Sequence, residues 1–200
     1  MKKIKEPISQ NRWEFAQAGE RGHHDNDPKS LDGLRDHYRE VYKHYFKYLS
    51  INPDLSNKSI IEIGPAKFAA LLYCENYDKS YIIEPTLYED IGEYYEGKNI
   101  EFITDLYEDC DSPKVDEIWF LNVLQHVKHP DALIAKAKEH SKIIRFFEPI
   151  DTLINQEHPF SFSENDYINY FGDCVTRYTS IGEKPFHGAN CAYGIYKCEE

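Results

Sequence analysis

The sequence predicts an α/β fold, a doubly wound and mostly parallel sheet with helices on both faces, and three observations carry that prediction. Short β-branched runs alternate with stretches of helical periodicity through the middle of the chain. The first run, Ser59-Ile60-Ile61-Glu62-Ile63, is almost free of charge, as expected of a parallel strand buried on both faces. Successive runs end in a turn, at Gly64-Pro65, Glu84-Pro85, Asp105 and Asn122, and the last three carry a carboxylate or an amide. Right-handed crossovers between parallel strands gather such ends on one edge of the sheet, where ligands bind.

Taken in order, residues 12–21 read as a short helix, and 22–29, with Pro28 and its Asp and Asn neighbours, as the one linker-like stretch. Leu31, Leu34, Tyr38, Val41, Tyr45 and Leu49 recur at spacings of three and four, one face of a long helix that stops before Asn52-Pro53. Strands are expected at 59–63, 80–84, 100–104, 116–121 and 142–147. Helices are expected between them at 67–76, 87–95 and 130–140, with a turn-rich link at 106–114. Beyond Pro149, Ser163-Glu164-Asn165-Asp166 has the pattern of a helix N-cap, and that helix runs through Tyr170 to a stop at Phe171-Gly172. Strands at 174–179 and 190–197 complete the chain as a hairpin-like ending.

Two hundred residues with 41% hydrophobic and 14% aromatic content suit a single domain, 1–200, with a full core. A net charge of −12 and a pI near 5.2 disfavour a nucleic-acid backbone as partner and leave small molecules as the favoured class. No apolar run is long enough for a bilayer, and no secretory or lipidation pattern is present, so the expectation is a cytoplasmic protein with no membrane partner. Five cysteines without a C-x-x-C pair read as reduced thiols. His23-His24-Asp25 lies in a charged, Gly-containing stretch and His129-Pro130 breaks the helix that would align His126 with His129, so no metal site is expected.

The strand ends point to a ligand. Glu84 lies 20 positions after Gly64, the distance at which a βαβ unit brings a carboxylate to ribose hydroxyls. A dinucleotide site needs G-x-G-x-x-G so that a diphosphate can press against bare backbone. This chain has Gly64-Pro65-Ala66-Lys67-Phe68-Ala69, and Phe68 and Ala69 would crowd a diphosphate. A ligand with ribose and no phosphate fits better, S-adenosylmethionine being the common one. Glu62, Gly64, Pro65 and Ala66 then form its methionine-side turn, Glu84 and Pro85 its ribose side, and Asp105 with Leu106 the adenine side. A backbone carbonyl at Asn122-Val123 would take its ammonium group. The plain alternatives are an ordinary sheet turn with a surface Glu84, an Asp105 that caps a turn and an Asn122 that satisfies loose backbone.

From Trp13 onward the chain resembles the class I S-adenosylmethionine-dependent methyltransferases, in particular their small type 11-like members. Ile61-Glu62-Ile63-Gly64 is similar to their first motif, Ile83-Glu84 to their acidic second-strand end, and Asn122-Val123-Leu124-Gln125-His126-Val127 to their N-V-L-x-H-V segment. Trp13-Glu14-Phe15-Ala16-Gln17-Ala18-Gly19-Glu20 resembles a helix that covers the cofactor in a subset of them; Phe147-Glu148-Pro149 and His158-Pro159 resemble that subset's segments after the fifth strand. The resemblance implies a Rossmann-like seven-stranded sheet with an antiparallel last strand. It implies an N-terminal helical lid within 1–50, a cofactor-binding core at 51–150 and a substrate side at 151–200. It also implies S-adenosylmethionine as cofactor, S-adenosylhomocysteine as product and a small-molecule hydroxyl or amine, such as a sugar or other metabolite, as acceptor.

Trp13, Gln17, Glu20, His24 and Glu148 would then face the substrate as lid and pocket residues. An oxygen or nitrogen acceptor must lose a proton, which makes His158 the first candidate base and His126 the second. The plain readings are a backbone-bonded loop histidine for His158 and a packing role for His126. The family's first motif usually has glycines where Ala66 and Phe68 stand. That departure keeps open a catalytically degenerate binding or scaffold protein; a nicotinamide-dependent oxidoreductase is the third reading, disfavoured by the missing glycines. Oligomeric state is not set by the sequence.

Overall fold

The computed structural model describes residues 3–86, 88–179 and 190–198. Seven strands form one sheet: β1 (Ile60–Ile63), β2 (Ser80–Ile83), β3 (Ile100–Ile103), β4 (Val115–Leu121), β5 (Ser141–Ile150), β6 (Thr176–Thr179) and β7 (Asn190–Lys197). Their order is β3-β2-β1-β4-β5-β7-β6, with β7 antiparallel to both neighbours and the other pairs parallel. Four α-helices accompany them: α1 (Gln10–Asp25), α2 (Leu31–Tyr48), α3 (Pro130–His140) and α4 (Glu164–Phe171). The expected doubly wound sheet with an antiparallel last strand is the one observed.

The period-2 geometry of the strands builds two apolar layers. Ile61, Ile63, Ile118, Phe120, Ile144 and Phe146 point to the face covered by α3 and α4. Ile60, Ile82, Trp119, Leu121 and Phe147 point to the other, covered by Tyr42, Tyr45 and Phe46 of α2. Both layers are closed to solvent, which is why the first strands carry isoleucine at consecutive positions. No helix of the described residues is long and apolar enough to cross a membrane.

Two expected helices are replaced by 3₁₀ turns. Within 67–76 only Ala70–Tyr73 is helical, as a 3₁₀ turn. Side chains from elsewhere take the backbone groups that a helix would have paired internally. Glu62 accepts from Ala70 N and Leu71 N at 2.7 and 2.9 Å. Tyr95 Oη accepts from Ala69 N at 2.7 Å, and Tyr42 Oη donates to Phe68 O at 2.6 Å. The stretch expected as a helix at 87–95 is a 3₁₀ helix over Glu89–Tyr95. In contrast, α1 outruns its expected span, because Ser9 caps its start through Arg12 N and Asn26 closes its end on Gly22 O. The helix at 164–171 has the expected cap in full, with Ser163 and Asp166 bonded reciprocally.

At the sheet edge opposite the strand ends discussed above, one buried ion pair ties three elements together. Arg145 of β5 donates to both oxygens of Glu117 on β4, at 2.6 and 3.1 Å, and its third nitrogen reaches Leu49 O after α2. Trp119 Nε1 and Lys58 Nζ complete the shell of Glu117 at 3.0 Å each. Burial works to raise the Glu117 pKa, but these donors and the Arg145 charge outweigh it and hold the carboxyl below its usual range. Arg145→Met leaves that carboxylate buried without its main counter-ion. Chemical denaturation is expected to show a loss of about 3–5 kcal/mol; a loss under about 1 kcal/mol would mean that the pair does not hold the elements together.

Candidate functional site

The carboxyl ends of β1 to β5 surround a cavity of about 680 Å³, roofed by α1 and α2 and by the loop after β5. Its floor is made by chain segments that leave the sheet in pairs. Gly64 N donates to Ile83 O at 2.9 Å, Glu84 N to Ile103 O at 3.1 Å and Asn122 N to Phe147 O at 2.9 Å. Each strand therefore keeps one more ladder bond before its loop turns away.

Gly64 and Ala66 both have left-handed backbone, with φ of +61° and +55°. Only glycine fits the first position, since a Cβ there would stand 2.3 Å from Val123 Cγ2. At the second, alanine occupies a conformation that glycine adopts more easily. The turn that a second glycine would make is thus formed despite the methyl group. Phe68 does not enter the cavity: it is fully buried in the α2-side core, edge-on to Tyr94.

Three glutamates at strand ends hold this floor, and the structure gives them different duties. Glu84 lines the cavity, its oxygens accepting from Ala66 N at 3.1 Å and Thr86 N at 2.9 Å. Burial lifts its pKa to about 7 against the opposing effect of those bonds. Glu62, expected as a ligand residue, does not line the cavity. It lies inside β1, its side chain standing off the sheet, and both oxygens serve the Ala70 and Leu71 amides. Glu148, expected on the substrate side, is also turned inward: its oxygens accept from Val123 N and Leu124 N at 2.9 to 3.0 Å. Burial raises Glu62 to about 7 and Glu148 to about 8. Both carboxylates are thus bonded to loop amides and lie off the cavity wall.

The remaining expected cofactor-side residues, Gly64, Pro65, Ala66, Pro85, Asp105, Leu106, Asn122 and Val123, all line the cavity with Glu84. Asp105 Oδ1 accepts from its neighbour Leu106 N at 2.7 Å, and Asn122 has φ of +64°, a conformation that asparagine tolerates.

On the opposite side, α1 brings Trp13, Gln17, Glu20 and His24 to the cavity, a 4-3-4 spacing that places them on one helix face. Only Ala16 of this helix is buried, so α1 is held chiefly by polar contacts. Arg12 donates to Asn155 O and Gln156 O, and Gln17 Nε2 to His126 O at 3.4 Å.

Both candidate histidines line the cavity and meet edge to face, their ring centroids 4.6 Å apart. Glu20 joins them: one oxygen lies 3.1 Å from His24 Nε2, the other 3.5 Å from His126 Nδ1. Burial works to raise the Glu20 pKa, but the His24 bond and the neighbouring imidazoles outweigh it and hold Glu20 well below the usual carboxylate range. Burial pushes His126 down to about 4, against the pull of Glu20. At neutral pH Glu20 is therefore ionised and His126 neutral. His126 Nδ1 faces the Glu157 carbonyl at 3.1 Å, which can only accept, so Nδ1 carries the proton and Nε2 keeps the lone pair.

Several lining residues escaped the sequence reading. Tyr38, Tyr42 and Tyr45 belong to the apolar face of α2, whose upper end continues past the core into the cavity. Gln125 sat inside a quoted motif without a role of its own; it is buried, and its Nε2 donates to Asn122 O and Oδ1 at 3.2 and 3.1 Å. Thr152 and Glu157, close to His158 in sequence, line the same region. Tyr88 also lines the cavity, while Tyr94 and Tyr95 support the β1 loop from beneath. Because Ala66 holds left-handed backbone, Ala66→Gly should raise stability by about 1 kcal/mol in denaturant titration; a destabilised variant would show that the methyl group is packed rather than strained.

No family model and no curated protein matches the sequence. Solved structures match it in fold. The N-methyltransferase NodS from Bradyrhizobium japonicum WM9, in complex with S-adenosylhomocysteine, aligns with a TM-score of 0.68 at 18% identity over 93% of this chain and 99% of its own. The 1,6-didemethyltoxoflavin-N1-methyltransferase of Burkholderia thailandensis aligns with a TM-score of 0.63 at 12% identity, covering 98% and 93% of the two chains. Magnesium protoporphyrin IX methyltransferase from Synechocystis PCC 6803, with S-adenosylmethionine bound, gives a TM-score of 0.63 at 12% identity over 96% and 100%. The fold of this chain is that of the class I S-adenosylmethionine-dependent methyltransferases.

Proposed function

We propose that the protein transfers a methyl group from S-adenosylmethionine to a hydroxyl or amine of a small molecule. The observation that carries this reading is that one cavity joins the Gly64–Glu84 strand ends to the Glu20–His126–His158 cluster, so that a cofactor side and an acid–base side share one space. The residues fit the cofactor. Glu84 has a lone pair on each oxygen beyond those used by Ala66 and Thr86, enough to accept two ribose hydroxyls. Phe68, which could have blocked the turn, is in the core, and this favours a binding-competent site over a degenerate one.

The cofactor supplies an already activated sulfonium methyl, so the chain has to orient the acceptor, exclude water and remove a proton. Helix α1 and the loop after β5 close the cavity. His126, neutral and with its lone pair on Nε2, receives the acceptor's proton, and His158 stands against its ring. Glu20 stabilises the imidazolium that forms.

Titration calorimetry with S-adenosylhomocysteine is expected to give micromolar binding. Glu84→Ala should weaken it at least tenfold, about 1.4 kcal/mol, through loss of charge-assisted bonds. Since only the ionised carboxylate accepts both hydroxyls and its pKa is near 7, affinity should fall as pH drops through about 7 and level off about a unit above it. Glu84→Gln should remove that pH dependence. No binding by the wild-type protein would overturn the methyltransferase reading; unchanged affinity in Glu84→Ala would overturn the ribose assignment alone.

A further inference from the structure

The charge of the cavity wall is one-sided. Glu20, Asp27, Glu84, Asp105, Glu108 and Glu157 contribute carboxylates to it. Among the described residues, Lys29 is its only lysine or arginine, and its Nζ is 3.3 Å from Asp27 Oδ2. The carboxylates also divide by position. Glu84 and Asp105 follow β2 and β3, on the cofactor side. Glu20 and Glu157 come from α1 and the loop after β5, and at His126 Nδ1 the Glu20 carboxylate meets the backbone carbonyl of Glu157.

Two buried oxygen atoms of cavity-lining residues have no partner. Gln125 is 1% exposed, and because its Nε2 is fixed on both oxygens of Asn122, its Oε1 is the end left over. Thr152 Oγ1 is buried and unpartnered as well. Both residues line the cavity. A buried amide oxygen without a donor costs free energy until a ligand brings one. Trp13, on the same face of α1 as Glu20, adds an aromatic surface of the kind that receives cations.

Resting on the methyltransferase reading, we propose that the acceptor is a cationic amine that carries no phosphate or carboxylate, seated between Glu20, Gln125 Oε1 and Thr152. Its ammonium group supplies the donors that these oxygens lack and the charge that Glu20 balances. An anionic acceptor would meet carboxylates without a free lysine or arginine among the described residues. For reaction, the ammonium gives one proton to His126 Nε2. The nitrogen lone pair so freed forms the N–C bond to the methyl group, and the C–S pair stays on sulfur as a thioether. The nitrogen of the product keeps the positive charge, and His126 passes its proton to solvent.

The test is calorimetry on protein saturated with S-adenosylhomocysteine, using three probes of one shape: 2-phenylethylammonium, 2-phenylethanol and phenylacetate. The ammonium is expected to bind about tenfold more tightly than the alcohol, and phenylacetate more weakly than both. In Glu20→Gln the ammonium should come within about twofold of the alcohol, with S-adenosylhomocysteine binding serving as the check that the variant is folded. The wild-type protein failing to bind S-adenosylhomocysteine would defeat the methyltransferase reading itself. Retained cofactor binding with the alcohol or the carboxylate at least as tight as the ammonium would overturn the amine assignment. So would no ammonium binding at millimolar concentration, or a preference that survives in Glu20→Gln.

Discussion

Backbone amides at the carboxyl edge of the sheet are held by buried carboxylates, and the shape of the cavity depends on that bonding. A parallel strand that ends in a loop leaves N–H groups with no sheet partner, and a buried N–H without an acceptor is costly. Glu62 answers this for the loop after β1 and Glu148 for the loop after β4. Glu84 stitches the two halves of the floor by accepting from Ala66 across the sheet. Glu62 and Glu148 are closed to solvent and Glu84 is partly so, and burial raises the pKa of all three, a cost that the loop amides offset only in part. The result is a floor fixed by short, directional bonds, while the roof above it is not fixed in this way.

The roof is of another character. Helix α1 buries one residue, Ala16, and is tied down through Arg12, Gln17 and Glu20. Polar contacts of this sort contribute little net stability individually and re-form readily in water. The floor and α2 are thus held by buried contacts, and α1 is the part of the roof held least. Glu20 reaches His126 only while α1 is docked, so the carboxylate beside that imidazole belongs to the least firmly held element of the roof.

Much of the fold was legible because its signals are local. Consecutive isoleucines in β1 and β2 reflect burial on both faces, and the spacing from Leu31 to Leu49 marks α2 without reference to the rest of the chain. The helix expected at 67–76 failed because the groups that dissolve it, Glu62, Tyr42 and Tyr95, are distant or belong to another element. Of the site, α1 was legible through the resemblance of its Trp13–Glu20 stretch to a cofactor-covering helix, and Glu84 from its distance to Gly64. Glu62 is expected at the ligand from its place in the first motif and Glu148 from the resemblance of Phe147-Glu148-Pro149, but a carboxylate near a strand end suits either duty. What separates them is position: both lie within their strands, whereas Glu84 stands one residue past the end of β2. Gln125 and Thr152 were out of reach, since an unpartnered oxygen is a property of the folded surroundings alone.

The most direct measurement is a crystal structure of the protein with S-adenosylhomocysteine. The account requires both ribose hydroxyls on Glu84, with Glu62 still on Ala70 and Leu71 and Glu148 still on Val123 and Leu124. A ligand placed away from Glu84, or one that draws Glu62 or Glu148 off its amides into direct contact, would contradict the division between carboxylates that build the floor and the one that reads the ligand.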